Sequence, residues 1–119
     1  MPTGAKRLPA VFYRSESGDE PVRDWLKSDL FSKDDRRRIG TDIKTVEFGW
    51  PVGMPVCRPL GHGLWEVRTR LAHRIVRIMF FVASGRMVLA HGFVKKARAA
   101  PRDDIALAFA RKRRWENEA

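Results

Sequence analysis

The sequence predicts an α+β fold: a small twisted antiparallel sheet of about four strands, an N-terminal helix hairpin and a C-terminal helix, with two helices packed on one face. Three observations carry this. Runs rich in β-branched and aromatic residues occupy 8–14, 64–70, 74–83 and 86–94, helical apolar spacing recurs in 19–49 and again after Pro101, and the connections between the last three strands are only a few residues long. Strands joined by such short turns pair antiparallel, as a meander.

In chain order, "LPAVFYR" (8–14) reads as a strand and "SESGDEP" after it as turn chemistry. Asp19 is placed to cap a helix with Pro21 in its first turn, and Val22, Trp25 and Leu26 fall on one face of it. Ser32 and Asp35 form a capping box with the shorter acid, opening a second helix whose stripe is Ile39, Ile43 and Val46 and which Gly49 and Pro51 end. The stretch "GWPVGMPVCRPL" (49–60) carries no helix or strand signal and reads as a loop, with Trp50, Val52 and Met54 plugging an edge of the core. Then come "LWEVRTR" (64–70), "RIVRIMFFVA" (74–83) and "RMVLAHGFV" (86–94), with turns at Ala72-His73 and Ser84-Gly85. The run 74–83 is apolar at nearly every position, so it belongs at the centre of the sheet, covered on both faces. Pro101 opens the last helix, with Asp103 and Asp104 in its positive first turn, Ile105, Ala108 and Phe109 inward, and "RKRR" near the end where cations suit the dipole.

A chain of 119 residues makes one domain, 1–119. Its 24 Lys and Arg against 14 Asp and Glu leave a formal charge of +10. Such a surplus repels itself and suits a polyanion, with nucleic acid the natural partner because each neutralised phosphate frees condensed counterions. A merely soluble basic surface is the plainer reading. A membrane fits less well: no apolar run approaches the roughly 20 residues of a spanning helix, and no helix pairs a broad aromatic face with a basic one. The short N-terminal apolar stretch predicts no export, and the lone Cys57 suits a reducing cytoplasm.

Strand alternation puts Arg68 and Arg70 on one face, opposite Trp65 and Val67. Arg74 and Arg77 have opposite parity, so only one of them joins that face without a bulge. Arg77, inside an apolar strand, needs a partner, and Glu66 is the local candidate. His91 shares parity with Met87, Leu89 and Phe93. On that apolar face a hydrogen-bonded core histidine is the plainer reading and a proton-transfer group the sharper one. His62 and His73 sit in turns, and three histidines and one cysteine without ligand spacing predict no metal and no cofactor. Lys95, Lys96 and Arg98 leave the last strand beside the mouth where Arg68, Arg70 and Arg74 converge. The alternative for the two lysines is a solvated pair. A cationic rim there would hold a phosphate backbone and stabilise the phosphorane formed when an RNA 2′-hydroxyl attacks its neighbouring phosphate, without a metal.

The order "GLWEVR", "RIVRI", "HGFVKK" and "P..DI..A" resembles the RelE/HigB superfamily of bacterial and phage toxins, in particular its phage-derived, host-killing-like branch, from the first strand to the final helix. The resemblance implies a RelE/ParE-like fold and the toxin of a toxin–antitoxin pair, a cytoplasmic ribosome-dependent mRNA endonuclease that inhibits translation. Its implied partners are mRNA, the ribosome and a cognate antitoxin with a helix-turn-helix domain, through which alone operator DNA is reached. By position it implies basic site residues at Arg68, Arg70, Arg74, Lys95 and Lys96. Relatives place a tyrosine, or a histidine with an acid, near the C-terminus. Here the only tyrosine is Tyr13, so His91 stands in as the base. The expected catalytic set is Arg68, Arg74, His91 and Lys95, with Arg70, Arg77, Lys96 and Arg98 binding RNA. Exposed Phe109 and Trp115 on the last helix are the expected antitoxin surface. Two other readings stay open: a gyrase-inhibiting toxin on the same scaffold, and a non-catalytic RNA- or ribosome-binding module.

Overall fold

The computed structural model describes residues 5–95 and 102–118. The elements are β1 (Ala10–Phe12), α1 (Pro21–Leu26), α2 (Lys33–Gly49), β2 (Cys57–Gly61), β3 (Leu64–Arg70), β4 (Ile75–Ala83), β5 (Arg86–Lys95) and α3 (Arg102–Glu118). They build an α+β fold on one sheet of order β1-β5-β4-β3-β2, with β4 at its centre as its composition requires. The meander β3-β4-β5 is antiparallel throughout. Two features differ from the sequence reading. The sheet is mixed, because β1 runs parallel to β5 with Ala10 opposite Met87. It also has a fifth strand, β2, from the segment read as a loop; Pro59 and Gly61 hide its strand signal, and an edge strand tolerates them because one side of it needs no ladder partners.

The helix starts follow side-chain chemistry. Ser32 accepts from the Asp35 backbone N–H at 3.0 Å and the Asp35 carboxylate from the Ser32 N–H at 2.9 Å, so the capping box of α2 is complete. The cap of α1 falls on Glu20 instead of Asp19, which closes the preceding turn by accepting from the Ser17 hydroxyl at 3.0 Å. From the end of α2 the buried Glu47 accepts the Ala10 N–H at 2.8 Å, and its carbonyl accepts from Arg7 and Leu8. These bonds tie the edge strand β1 to the helix layer. Between β4 and β5, Ser84 and Gly85 both take positive φ (51° and 72°), the geometry of a two-residue hairpin turn.

Each face of the sheet has its own core. On one, Val22, Phe31, Ile39 and Val46 from the α1–α2 layer meet Val67, Ile78, Phe80, Met87 and Leu89. On the other, Tyr13, Leu64, Met79, Phe81 and Val88 meet Ala108 of α3. Trp50 and Val52 pack against the first core as expected, whereas Met54 is exposed. Gly92 of β5 lets Trp25 lie directly on the strand, where a Cβ would collide with the indole. Among the described residues no helix is long and apolar enough to cross a membrane.

Candidate functional site

The sheet register brings charged residues from three strands together on the α3 side. Arg58 of β2 stands opposite Glu66 of β3, Arg68 opposite Arg77 of β4, and Arg77 opposite Phe93 of β5. Alternation then gives Glu66, Arg68, Arg77 and Phe93 a common face. Helix α3 packs on β4 and β5, with its first turn at His91 and its far end at Tyr13 and Phe81.

Glu66 is fully buried, with guanidinium nitrogens of Arg58, Arg77 and Arg68 at 3.2, 3.4 and 3.7 Å. None of these contacts has hydrogen-bond geometry. Both Glu66 oxygens, Arg68 Nε and Arg77 Nε are buried without a partner. Three cations around one anion leave two positive charges (3 − 1) uncompensated among the described residues. Burial holds the Arg77 guanidinium below its usual basicity, Glu66 opposes that shift, and Arg58 and Arg68 reinforce it. A group this crowded by like charge gains from any anion brought near it.

His91 reaches the same face through a β-bulge. Met79 pairs with His91 but Phe80 pairs with Leu89, so Ala90 is an extra residue on β5. Without it, His91 and Phe93 would share the face of Met87 and Leu89, as the sequence parity predicts. The bulge turns both to the opposite side. There His91 Nε2 lies 2.6 Å from Asp104 Oδ1 in the first turn of α3, and its ring stacks on Phe93 at 6.0 Å and 16°. The Arg77 guanidinium lies over that same Phe93 ring at 5.7 Å. A continuous row Arg77–Phe93–His91–Asp104 therefore borders the cationic cluster. With Nε2–H donated to Asp104, Nδ1 keeps its lone pair and can take a proton.

The remaining predicted site residues distribute unevenly. Arg70, exposed at the end of β3, adjoins Arg68 in a cleft of about 400 Å³ that α2 also lines. Arg74 does not join the rim: it donates to the Leu30 carbonyl at 2.7 Å and to Asp35 at 3.0 Å, on the α1–α2 side. The hydrogen bond from the Ser32 backbone, helped by the Arg74 charge, holds the Asp35 carboxyl below its ordinary 3.8 against an opposing effect of burial. Lys95 ends β5 opposite Ile75, while Lys96 and Arg98 lie outside the described residues. Phe109 and Trp115 are not a free surface, since both pack on the second core, with Trp115 edge-on to Phe81 at 6.0 Å. Tyr13 is buried and its hydroxyl accepts from Arg114 at 2.9 Å, remote from the cluster. Burial, then the Glu66 charge, pushes the Cys57 thiol up to about 11, which disfavours the thiolate at this buried position.

Arg58, Asp104 and Phe93 are the residues that sequence reading left out of the site. Arg58 lay in the segment read as a loop, and Asp104 had a sufficient explanation at the helix dipole. The signal within reach was the cross-strand partner of Glu66. In comparisons with known proteins, residues 24–113 match the family model described as "Phage derived protein Gp49-like (DUF891)". No curated protein matches the chain.

Proposed function

Because the chain belongs to the Gp49-like phage-derived family, a RelE/HigB-like toxin family of toxin–antitoxin systems, we propose that it is the toxin of such a pair, an endoribonuclease that cuts mRNA on the ribosome and halts translation. The observation that carries this reading is the threefold arginine cluster around one buried carboxylate, set beside a carboxylate-oriented histidine. Such a face is suited to hold a phosphodiester and move its proton.

The scissile phosphate docks against Arg58 and Arg68, with the charge of the buried Arg77 beneath them, and Arg70 holds its neighbour. Lys95 at the end of β5, with Lys96 and Arg98 beyond it in the chain, serves the flanking backbone. Phe93, with the His91 ring stacked on it and the Arg77 guanidinium over it, keeps that histidine beside the cations. His91 Nδ1 takes the proton of the 2′-hydroxyl while Asp104 fixes the imidazole. The 2′-oxygen bonds to phosphorus, and the guanidiniums meet the charge of the pentacoordinate phosphorane. The bond to the 5′-oxygen then breaks, leaving a 2′,3′-cyclic phosphate and, once that oxygen takes up a proton, a 5′-hydroxyl. His91 returns to its neutral form by releasing its proton to solvent. Arg74 acts at a distance, pinning the β3–β4 turn to the helix layer. The partners in this reading are mRNA, the ribosome and a cytoplasmic antitoxin whose helix-turn-helix domain reaches operator DNA.

The test is a reconstituted translation reaction with the purified protein, with mRNA ends mapped. Cuts that need ribosomes, leave cyclic phosphate and 5′-hydroxyl ends, and vanish when a 2′-deoxynucleotide stands at the cut position support the reading. Intact mRNA, or cutting that tolerates the 2′-deoxy substitution, overturns it. Double-strand breaks in DNA with mRNA uncut would point to gyrase instead.

A further inference from the structure

Beyond the cluster, the cleft at the end of β3 has features that phosphate binding alone does not use. It is lined by Arg38, Thr41 and Asp42 of α2, by Pro55 and Val56, and by Arg68, Arg70 and Ile75. Its volume of about 400 Å³ lies in the range of small-ligand sites. Residues 38, 41 and 42 share one helix face at i, i+3 and i+4. The opposite wall is the stretch just before β2, where the Val56 carbonyl accepts from the Arg68 N–H at 2.8 Å. Pro55, Val56 and Ile75 give it an apolar floor. Asp42 is half-buried in a cleft with three arginines, yet among the described residues it has no salt bridge and no hydrogen bond. Arg38 and Arg70 likewise have no carboxylate within 4.0 Å among the described residues. Arg68 lines this cleft and also flanks Glu66, so it stands between the two.

We propose that this cleft is a base-reading subsite that takes one guanine nucleotide next to the scissile position. The phosphate lies on Arg68 and Arg70, the base on the apolar floor, and Asp42 accepts from its edge. A carboxylate has only acceptors, so it selects a base with adjacent donors. Guanine presents N1–H and N2–H side by side. Uracil presents one N–H between two carbonyls, and adenine and cytosine each set one amine beside an acceptor nitrogen. The proposal takes its RNA substrate from the function proposed above and adds a sequence preference to it.

The measurement is binding, with no cleavage involved: titration of the full-length protein with 5′-GMP, 5′-UMP and inorganic phosphate, followed by NMR shifts of Thr41, Val56 and Ile75. The expectation is GMP tighter than UMP by about tenfold, the scale of one bidentate base contact. Asp42→Asn, nearly isosteric on a partly exposed helix face, erases that preference while phosphate binds as before. Equal affinity for GMP and UMP, or a preference that survives Asp42→Asn, overturns the subsite. Selective GMP binding by a protein that cuts no RNA would uphold the subsite and sink the nuclease; RNA cutting without a GMP preference would do the reverse.

Discussion

Two carboxylates on opposite sides of the sheet meet arginine in opposite ways. Asp35 has one arginine at 3.0 Å, a serine hydroxyl within its capping box and a helix N-terminus, and every group there is satisfied. Glu66 has three arginines between 3.2 and 3.7 Å and no hydrogen bond at all. The first arrangement is what stability alone requires: charge matched one to one, directional bonds made. The second leaves cations in excess and polar atoms idle inside the protein, an arrangement that folding alone would select against. The contrast teaches that surplus and misfit, not the number of charges, set the proposed RNA-binding face apart from a structural one.

The hardest blow to that contrast would be an inert His91. His91→Ala is expected to slow mRNA cutting by about 10²–10⁴-fold, and Asp104→Asn to slow it less, measured as initial rates in reconstituted translation. Rates equal to the parent protein would empty the α3 side of meaning. Next in size is stability. Removing the central anion by Glu66→Ala strands three guanidiniums and should lower unfolding free energy by about 3–5 kcal/mol in urea titrations, whereas Ser32→Ala, which breaks only a cap, should cost about 1 kcal/mol. A Glu66 substitution no costlier than the cap would mean that solvent already neutralises the cluster. A sharper cut uses salt. Arg68→Ala should reduce the slope of log affinity against log salt for single-stranded RNA by about 0.7, and Arg74→Ala should leave it unchanged. The mildest effect is on acid stability. The Asp35 carboxyl is depressed below 3.8, so its contribution is present above that value and fades as pH falls through the lower folded one. Asp35→Asn should flatten that acid limb of the stability curve, and an unchanged limb would deny Asp35 its role.

Much of the scaffold was legible because its signals are local. The capping box at Ser32 and Asp35, the Ser84-Gly85 turn and the centrality of β4 each follow from a few neighbouring residues. So does the Arg77–Glu66 pair, once strand parity sets which side chains share a face. The site was less legible because its decisive events are not local. Ala90 adds one residue to β5, and nothing in "LAHGFV" announces that the parity changes there. Asp104 meets His91 only after α3 folds back over the sheet. Arg74 sits beside a turn, where its side chain can go to either layer, and its partner Asp35 lies 39 residues earlier. Arg58 was invisible for a different reason, since prolines on an edge strand imitate a loop.

Trp25 rests against Gly92 with no space for even a methyl group, and on the reverse side of that strand stand His91 and Phe93. The helical layer therefore acts as an anvil beneath the imidazole. A thicker residue at 92 would push the strand off its seat and tilt the ring away from Asp104, undoing that contact from behind without altering one charge.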